Sequence, residues 1–207
     1  MKTRFAEKLL QAEAVRLSPE QPFTWASGWH SPIYCDNRRL LSFPAIRTFV
    51  KEGLTSLARE NFPEANVVAG VATGAIAMGA LVADVLQLPF VYVRPKPKDH
   101  GMGNQIEGFL PEGARVVVVE DLISTGSSSL KAVEALRKAG ATIEGMVASF
   151  TYDFPVAHDA FEAADVKLLT LSDYPHVLQC AVQQNYITKE QQQVLSTWRE
   201  NPAEWSL

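Results

Sequence analysis

The chain has little cysteine, and what it has is badly placed for cross-linking or metal binding: Cys35 and Cys180 share no short spacing. A disulfide framework and a zinc module are therefore not expected, and reduced thiols of a cytoplasmic protein are the default for such a pair. Long apolar runs are also missing. A membrane span needs roughly 18 apolar residues, whereas the longest stretch here, near residues 69–85, is interrupted by Thr73, Asp84, Gly70, Gly74 and Gly79. Positive charge is in deficit, with 19 Lys and Arg against 23 Asp and Glu, a net charge of −4 and a pI of about 5.6. That balance argues against nucleic acid as the main partner. The N-terminal segment places Glu7 and Lys8 where a secretory signal needs an apolar centre. No repeat, low-complexity tract or linker divides the chain. Its 207 residues, 47% hydrophobic and 20% charged, suit one globular domain over 1–207.

Two familiar nucleotide loops are absent as well: there is no Gly-x-x-x-x-Gly-Lys, and no Gly-x-Gly-x-x-Gly behind a strand. What stands instead is Val116-Val117-Val118-Val119-Glu120-Asp121-Leu122-Ile123-Ser124-Thr125-Gly126-Ser127-Ser128. A run of valines suits a strand buried on both faces of a parallel sheet. The strand is expected to end at the carboxylates, and the hydroxyl- and glycine-rich turn after them runs into a helical stretch. Strand, small-residue turn and helix N-terminus together make an anion site, because amides converge there and the helix dipole favours a phosphate. Two adjacent carboxylates beside a phosphate cradle suit a ligand with hydroxyls to bind or positive charge to stabilise. A phosphorylated sugar has both needs.

Periodicity predicts the rest of the frame. Phe5, Leu9, Ala12 and Arg16 mark a first helix over 4–17, and Pro19, Pro22, Gly28 and Pro32 make 18–40 irregular and hairpin-like. Ser42-Phe43-Pro44 reads as the start of a helix that carries Ile46, Val50, Leu54 and Leu57 on one face. Strands at 66–71, 90–94, 115–119, 143–150 and 167–171 then alternate with helices at 75–86, 127–139 and 157–164, and 188–207 resembles an amphipathic end-helix. Such alternation predicts an α/β fold with a mainly parallel central sheet flanked by helices. Ligands of such sheets lie at the carboxyl ends of the strands, where Ala72-Thr73-Gly74, Arg94 and Glu120-Asp121 all fall. His158 and His176 are expected to be surface or capping residues.

The segment Glu120–Ser128 resembles the phosphoribosyl-diphosphate signature of the type I phosphoribosyltransferases. Phe23-Thr24-Trp25-Ala26-Ser27-Gly28 with Ser31-Pro32-Ile33-Tyr34, and Arg94-x-x-x-Lys98-Asp99-His100-Gly101, are similar to the orotate-using branch of that family. The resemblance covers roughly residues 5–185. It implies a type I phosphoribosyltransferase fold with a small N-terminal hood, formed largely by residues 1–40, and a mobile lid over 95–104. It also implies transfer of a phosphoribosyl group from phosphoribosyl diphosphate to orotate, giving orotidine 5′-monophosphate for UMP biosynthesis. The donor would be held by Thr73, Arg94, Lys98, His100, Glu120, Asp121, Leu122, Ile123, Ser124, Thr125, Gly126, Ser127 and Ser128. Lys98, Glu120 and Asp121 would carry catalysis, and Ser124, Tyr34 and Cys35 would meet orotate. Mg²⁺ is implied, bound chiefly through the diphosphate with no protein metal cage, as is a homodimer whose lid acts on the partner's site.

Ala26, Pro95 and Tyr152 depart from the pattern, standing where basic residues are frequent. Lys96 can restore the charge lost at Pro95. The orotate carboxylate is left to main-chain amides of the hood or to Arg38. A purine phosphoribosyltransferase would share the signature loop but has no call for the hood or for Lys-Asp-His-Gly. A non-catalytic sensor of phosphoribosyl diphosphate would show a degraded lid or carboxylate pair.

Overall fold

The valine run lies inside a sheet. In the computed structural model, which describes residues 1–25, 28, 30–96, 105–202, 204 and 205, Val116 to Val119 are all 0% exposed. From the N-terminus, α1 (Lys2–Gln11) is followed by β1 (Val15–Leu17), β2 (Phe23–Thr24), β3 (His30–Ser31), β4 (Ile33–Cys35) and a 3-10 helix (Asn37–Ser42). Then come α2 (Pro44–Asn61), β5 (Val67–Val71), α3 (Ile76–Leu86), β6 (Phe90–Val93), β7 (Ile106–Glu107), β8 (Arg115–Ile123), α4 (Ser127–Lys138) and β9 (Thr142–Thr151). The chain closes with α5 (Pro155–Ala163), β10 (Leu168–Asp173), α6 (Tyr174–Gln183) and α7 (Lys189–Glu200).

The main sheet has the order β10-β9-β8-β5-β6-β7. Every pairing is parallel except β6 with β7. Side chains alternate across a strand, so the valines divide between two cores. Val117 and Val119 pack with α1, α2, α3 and α6, while Val116 and Val118 pack with α4 and α5. Burial on this scale stabilises by roughly 1.5–3 kcal/mol per valine side chain. Two short antiparallel ribbons, β1 with β4 and β2 with β3, form the hood beside the sheet.

The structure departs from the sequence expectations in four places. The first helix stops at Gln11: Glu13 takes a φ of +50°, and Val15 to Leu17 pair with Cys35 to Ile33. That pairing is non-local and overrides the helical spacing. β8 does not end at the carboxylates, because β9 continues alongside it and pairs Ile123 with Thr151. Pro44 opens α2 as expected, but Phe43 occupies the cap position and Ser42 lies in the 3-10 helix. Finally α6, which periodicity did not mark, starts at a real cap: the Asp173 carboxylate accepts from the His176 amide at 3.1 Å. The end-helix is present as α7, and Thr188 and Gln191 close a capping box at its start.

Candidate active site

Extending β8 to Ile123 fixes the two carboxylates by strand geometry. Successive residues face opposite sides of the sheet, so Glu120 turns toward α4 and Asp121 away from it. Glu120 is 5% exposed; its Oε2 accepts from Ser129 Oγ at 2.8 Å and its Oε1 from the Asp121 amide at 2.9 Å. Burial, and then the charge of Asp121, hold the Glu120 carboxyl well above the usual carboxylate range. Burial also raises Asp121, against the lowering effects of its hydrogen bond with Glu120 and of Arg38.

Two close approaches complete this corner. A Cβ at Gly74 would collide with the Asp121 carboxylate, so only glycine lets the loop after β5 lie against it. The Asn37 side-chain amide donates to the Asp121 carbonyl at 2.6 Å, tying the hood to the sheet. The loop itself begins with a non-proline cis peptide between Ala72 and Thr73, and the Ala72 amide donates to the Val93 carbonyl at 2.9 Å.

The signature loop turns on Gly126, whose φ of +81° starts α4 in a conformation that L side chains rarely adopt. Residues on its two sides serve different spaces. Thr125, Ser127 and Ser128 line a cavity of about 440 Å³ together with Arg94, Lys96 and Lys131. Ser124 lines another, of about 400 Å³, with Thr24, Trp25, Tyr34, Cys35, Leu122 and Tyr152. The first cavity is cationic and sits at a helix N-terminus. The second is aromatic and has no charged lining residue among the described residues.

The two cavities gather some of the predicted residues, whereas Thr73, Glu120, Asp121 and Gly126 line neither. Arg94 reaches the phosphate-loop cavity, and Tyr34, Cys35 and Ser124 share the aromatic one. Arg94 Nη1 lies 3.6 Å from Glu107 Oε1, and its main chain pairs with Gln105: the Arg94 amide donates to the Gln105 carbonyl at 2.9 Å, and Gln105 Nε2 returns a bond to the Arg94 carbonyl at 2.8 Å. Ile123 brings no side chain to either cavity, being 0% exposed in the core. Lys98 and His100, with Ala26, lie outside the described residues. Arg38 donates through Nε to Asp36 at 2.7 Å and does not line the aromatic cavity. His158 is 2.8 Å from Asp153 and His176 is 2.5 Å from Asp173, in exposed or helix-capping positions as expected.

Tyr152 is 2% exposed, and burial raises its hydroxyl pKa well above the ordinary value. Its ring packs against Trp25, Phe150, Phe154, Tyr174 and Trp198 at centroid distances of 5.2 to 6.3 Å. Sequence reasoning did not anticipate the parts played by Asn37 and Ser129, or by Trp198 of the end-helix. Only Ser129 left a trace, as the last hydroxyl of the Ser124–Ser129 run. A larger cavity of about 700 Å³ lies elsewhere, between α1, α5 and β10. Some of its charged residues are paired, Lys2 with Asp173 at 2.7 Å and Asp153 with Arg199 at 3.0 Å, and none of the predicted site residues lines it.

A sheet of this order, with a hydroxyl-rich anion loop after two carboxylates, defines a phosphoribosyltransferase, and the family model described as "Phosphoribosyl transferase domain" matches residues 40–172. An orotate phosphoribosyltransferase of Bacteroides fragilis is 59% identical over 201 residues, 97% of this chain and 95% of that protein. Among solved structures, orotate phosphoribosyltransferase from Aeropyrum pernix aligns with a TM-score of 0.77 and 30% identity, covering 89% of this chain and 99% of the other. The UMP synthase of Leishmania donovani aligns at 0.81 with 27% identity, covering 95% of this chain and 42% of that longer one. The chain belongs to the orotate phosphoribosyltransferase family.

Proposed function

We propose that the chain transfers the 5-phosphoribosyl group from phosphoribosyl diphosphate to a ring nitrogen of orotate, forming orotidine 5′-monophosphate and diphosphate for UMP biosynthesis. One observation carries this assignment: consecutive residues Ser124 and Thr125 line two different cavities, an uncharged aromatic one for a flat base and a cationic one for phosphate oxygens. Thr125 to Ser128 and the first amides of α4 hold the 5′-phosphate. Asp121 and Glu120 accept hydrogen bonds from the ribose hydroxyls and oppose the positive charge that develops on the ring as the C1–oxygen bond to diphosphate breaks. Thr73, Arg94 and Lys96, with Lys98 and His100, receive the leaving diphosphate. Tyr34, Cys35 and Ser124 hold orotate against Trp25 and Tyr152.

Among the described residues there is no group of three or more His, Cys, Asp or Glu able to hold a metal ion. Asp121 nevertheless offers the hard oxygen donor that a magnesium ion prefers, and such an ion takes its remaining ligands from water and substrate oxygens. When bound it neutralises charge on the diphosphate. In sequence, residues 95–104 lie between Arg94 and Gln105, which pair beside the cationic cavity. From that base they act as a lid over the site of a partner subunit, excluding water. The homodimer this requires is supported by the outer face of α3, where Asp84 is the one charged residue. The helix buries Met78, Gly79, Val82 and Ala83 inward and leaves Ala77, Ala80 and Val85 outward. No helix among the described residues is long and apolar enough to cross a membrane, and both cysteines are free, which supports a cytoplasmic setting. Loss of orotate absorbance with phosphoribosyl diphosphate and Mg²⁺ tests the assignment. Turnover of a purine base without turnover of orotate would overturn it.

A further inference from the structure

The aromatic cavity poses a problem for an anionic base, because none of the described residues that line it carries a charge. Affinity there must come from ring faces and main-chain donors, so it depends on where the rings are held. Two of the rings that line the wall, Trp25 and Tyr152, are both backed by the same side chain, Trp198 of α7. Its ring lies 5.6 Å from Trp25, edge-on at 79°, and 5.9 Å from Tyr152 at 74°. Trp198 is 0% exposed. It also spends its one polar group on the hood: the indole Nε1 donates to the His30 carbonyl at 3.1 Å. The Trp25 indole in turn donates to the Ile33 carbonyl at 3.2 Å, on the hood strand next to Tyr34.

We propose that Trp198 is a positioning residue for the base pocket, through which the C-terminal helix sets acceptor affinity without touching the acceptor; this rests on the orotate reaction proposed above. Helix α7 is anchored for such a task on both walls of the cavity. Arg199 donates to the Asp153 carbonyl at 2.9 Å, next to Tyr152, and Gln191 donates to Glu20 of the hood at 3.0 Å. The Tyr174 hydroxyl donates to the Leu195 carbonyl at 2.9 Å, holding the middle of the helix. Arg94, Lys96, Thr125, Ser127 and Ser128 line the cationic cavity and not the aromatic one, so the donor site is a separate space.

The test is steady-state kinetics of the full-length enzyme, varying each substrate in turn. Trp198→Phe keeps one aromatic ring while removing the bond to His30 and part of the indole's bulk, and Trp198→Leu removes the aromatic ring as well. The expected result is a rise in orotate KM of about 5-fold for the phenylalanine, the size of one lost hydrogen bond. For the leucine, which also loses aromatic pairs, the rise should be about 30-fold. Phosphoribosyl-diphosphate KM and kcat should stay within about 2-fold, on the same arithmetic. Should Trp198→Leu fail to fold, the phenylalanine variant decides. An unchanged orotate KM in a folded variant, or equal rises for both substrates, would overturn the proposal. Absence of orotate turnover in the unaltered enzyme would instead overturn the reaction assignment.

Discussion

The halves of the site proposed for donor and acceptor are built in opposite ways. The half proposed for the donor is built mostly on one continuous segment, the valine strand, two carboxylates and the loop that opens α4 within residues 116–128, with Arg94 and Lys96 added from beyond β6. The acceptor half is gathered from Thr24 and Trp25, Tyr34 and Cys35, Leu122 and Ser124, and Tyr152, then backed by Trp198. A phosphate needs amides and charge, which one turn and one helix end supply. A flat base needs opposing surfaces, and no short stretch of chain can face itself.

The contrast can be tested by damage confined to one half. The largest effect is expected from Lys98→Ala, which removes a cation from the leaving diphosphate and should lower kcat about 10²–10³-fold while orotate KM holds. An unchanged kcat would take Lys98 out of the mechanism. If the lid serves the partner subunit, mixing this variant with a Glu120/Asp121 double variant should recover activity in heterodimers. On the acceptor side, Tyr152→Arg would bury a guanidinium among five aromatic rings. It should cost about 3 kcal/mol of stability by urea unfolding. A variant of full stability with tighter orotate binding would show that the aromatic shelf is dispensable.

Smaller effects belong to the join between the halves. Gly74→Ala forces a methyl group against the Asp121 carboxylate. It should destabilise by about 1–3 kcal/mol and raise donor KM before orotate KM. Equal changes in the two would blur the boundary. Ser129→Ala deprives buried Glu120 of one donor, at a cost of about 1–2 kcal/mol, measured by chemical unfolding. The smallest change is a slope. Burial raises the folded-state pKa of Glu120, so the folded protein holds a proton that the unfolded chain releases. Stabilisation from this group is complete below the ordinary carboxylate range and is lost as pH rises through the raised value. Glu120→Gln should therefore flatten the fall of Tm with pH above that range. The same slope in both proteins would contradict the assignment.

How much of this the sequence carried follows the same division. The valine run, Gly126 and the alternation of strands and helices are local signals, and the sheet and phosphate loop were legible from them. The errors lie where a distant partner decides. Residues 15–17 have helical spacing yet pair with 33–35, and β8 outruns its carboxylates because β9 runs beside it. Tyr152 reads in sequence as a lost positive charge; packing shows it as the centre of an aromatic stack. Trp198 reads as one residue of an amphipathic tail, since nothing near it in sequence points to His30.

The boundary between the cavities falls on a single peptide bond, between Ser124 and Thr125. Evolution or a protein engineer can therefore redraw the nucleobase side by editing the hood, position 152 and the terminal helix, leaving the machinery that activates the sugar untouched. A graft of those three segments, rather than a point change in the loop, is the economical route to a new acceptor.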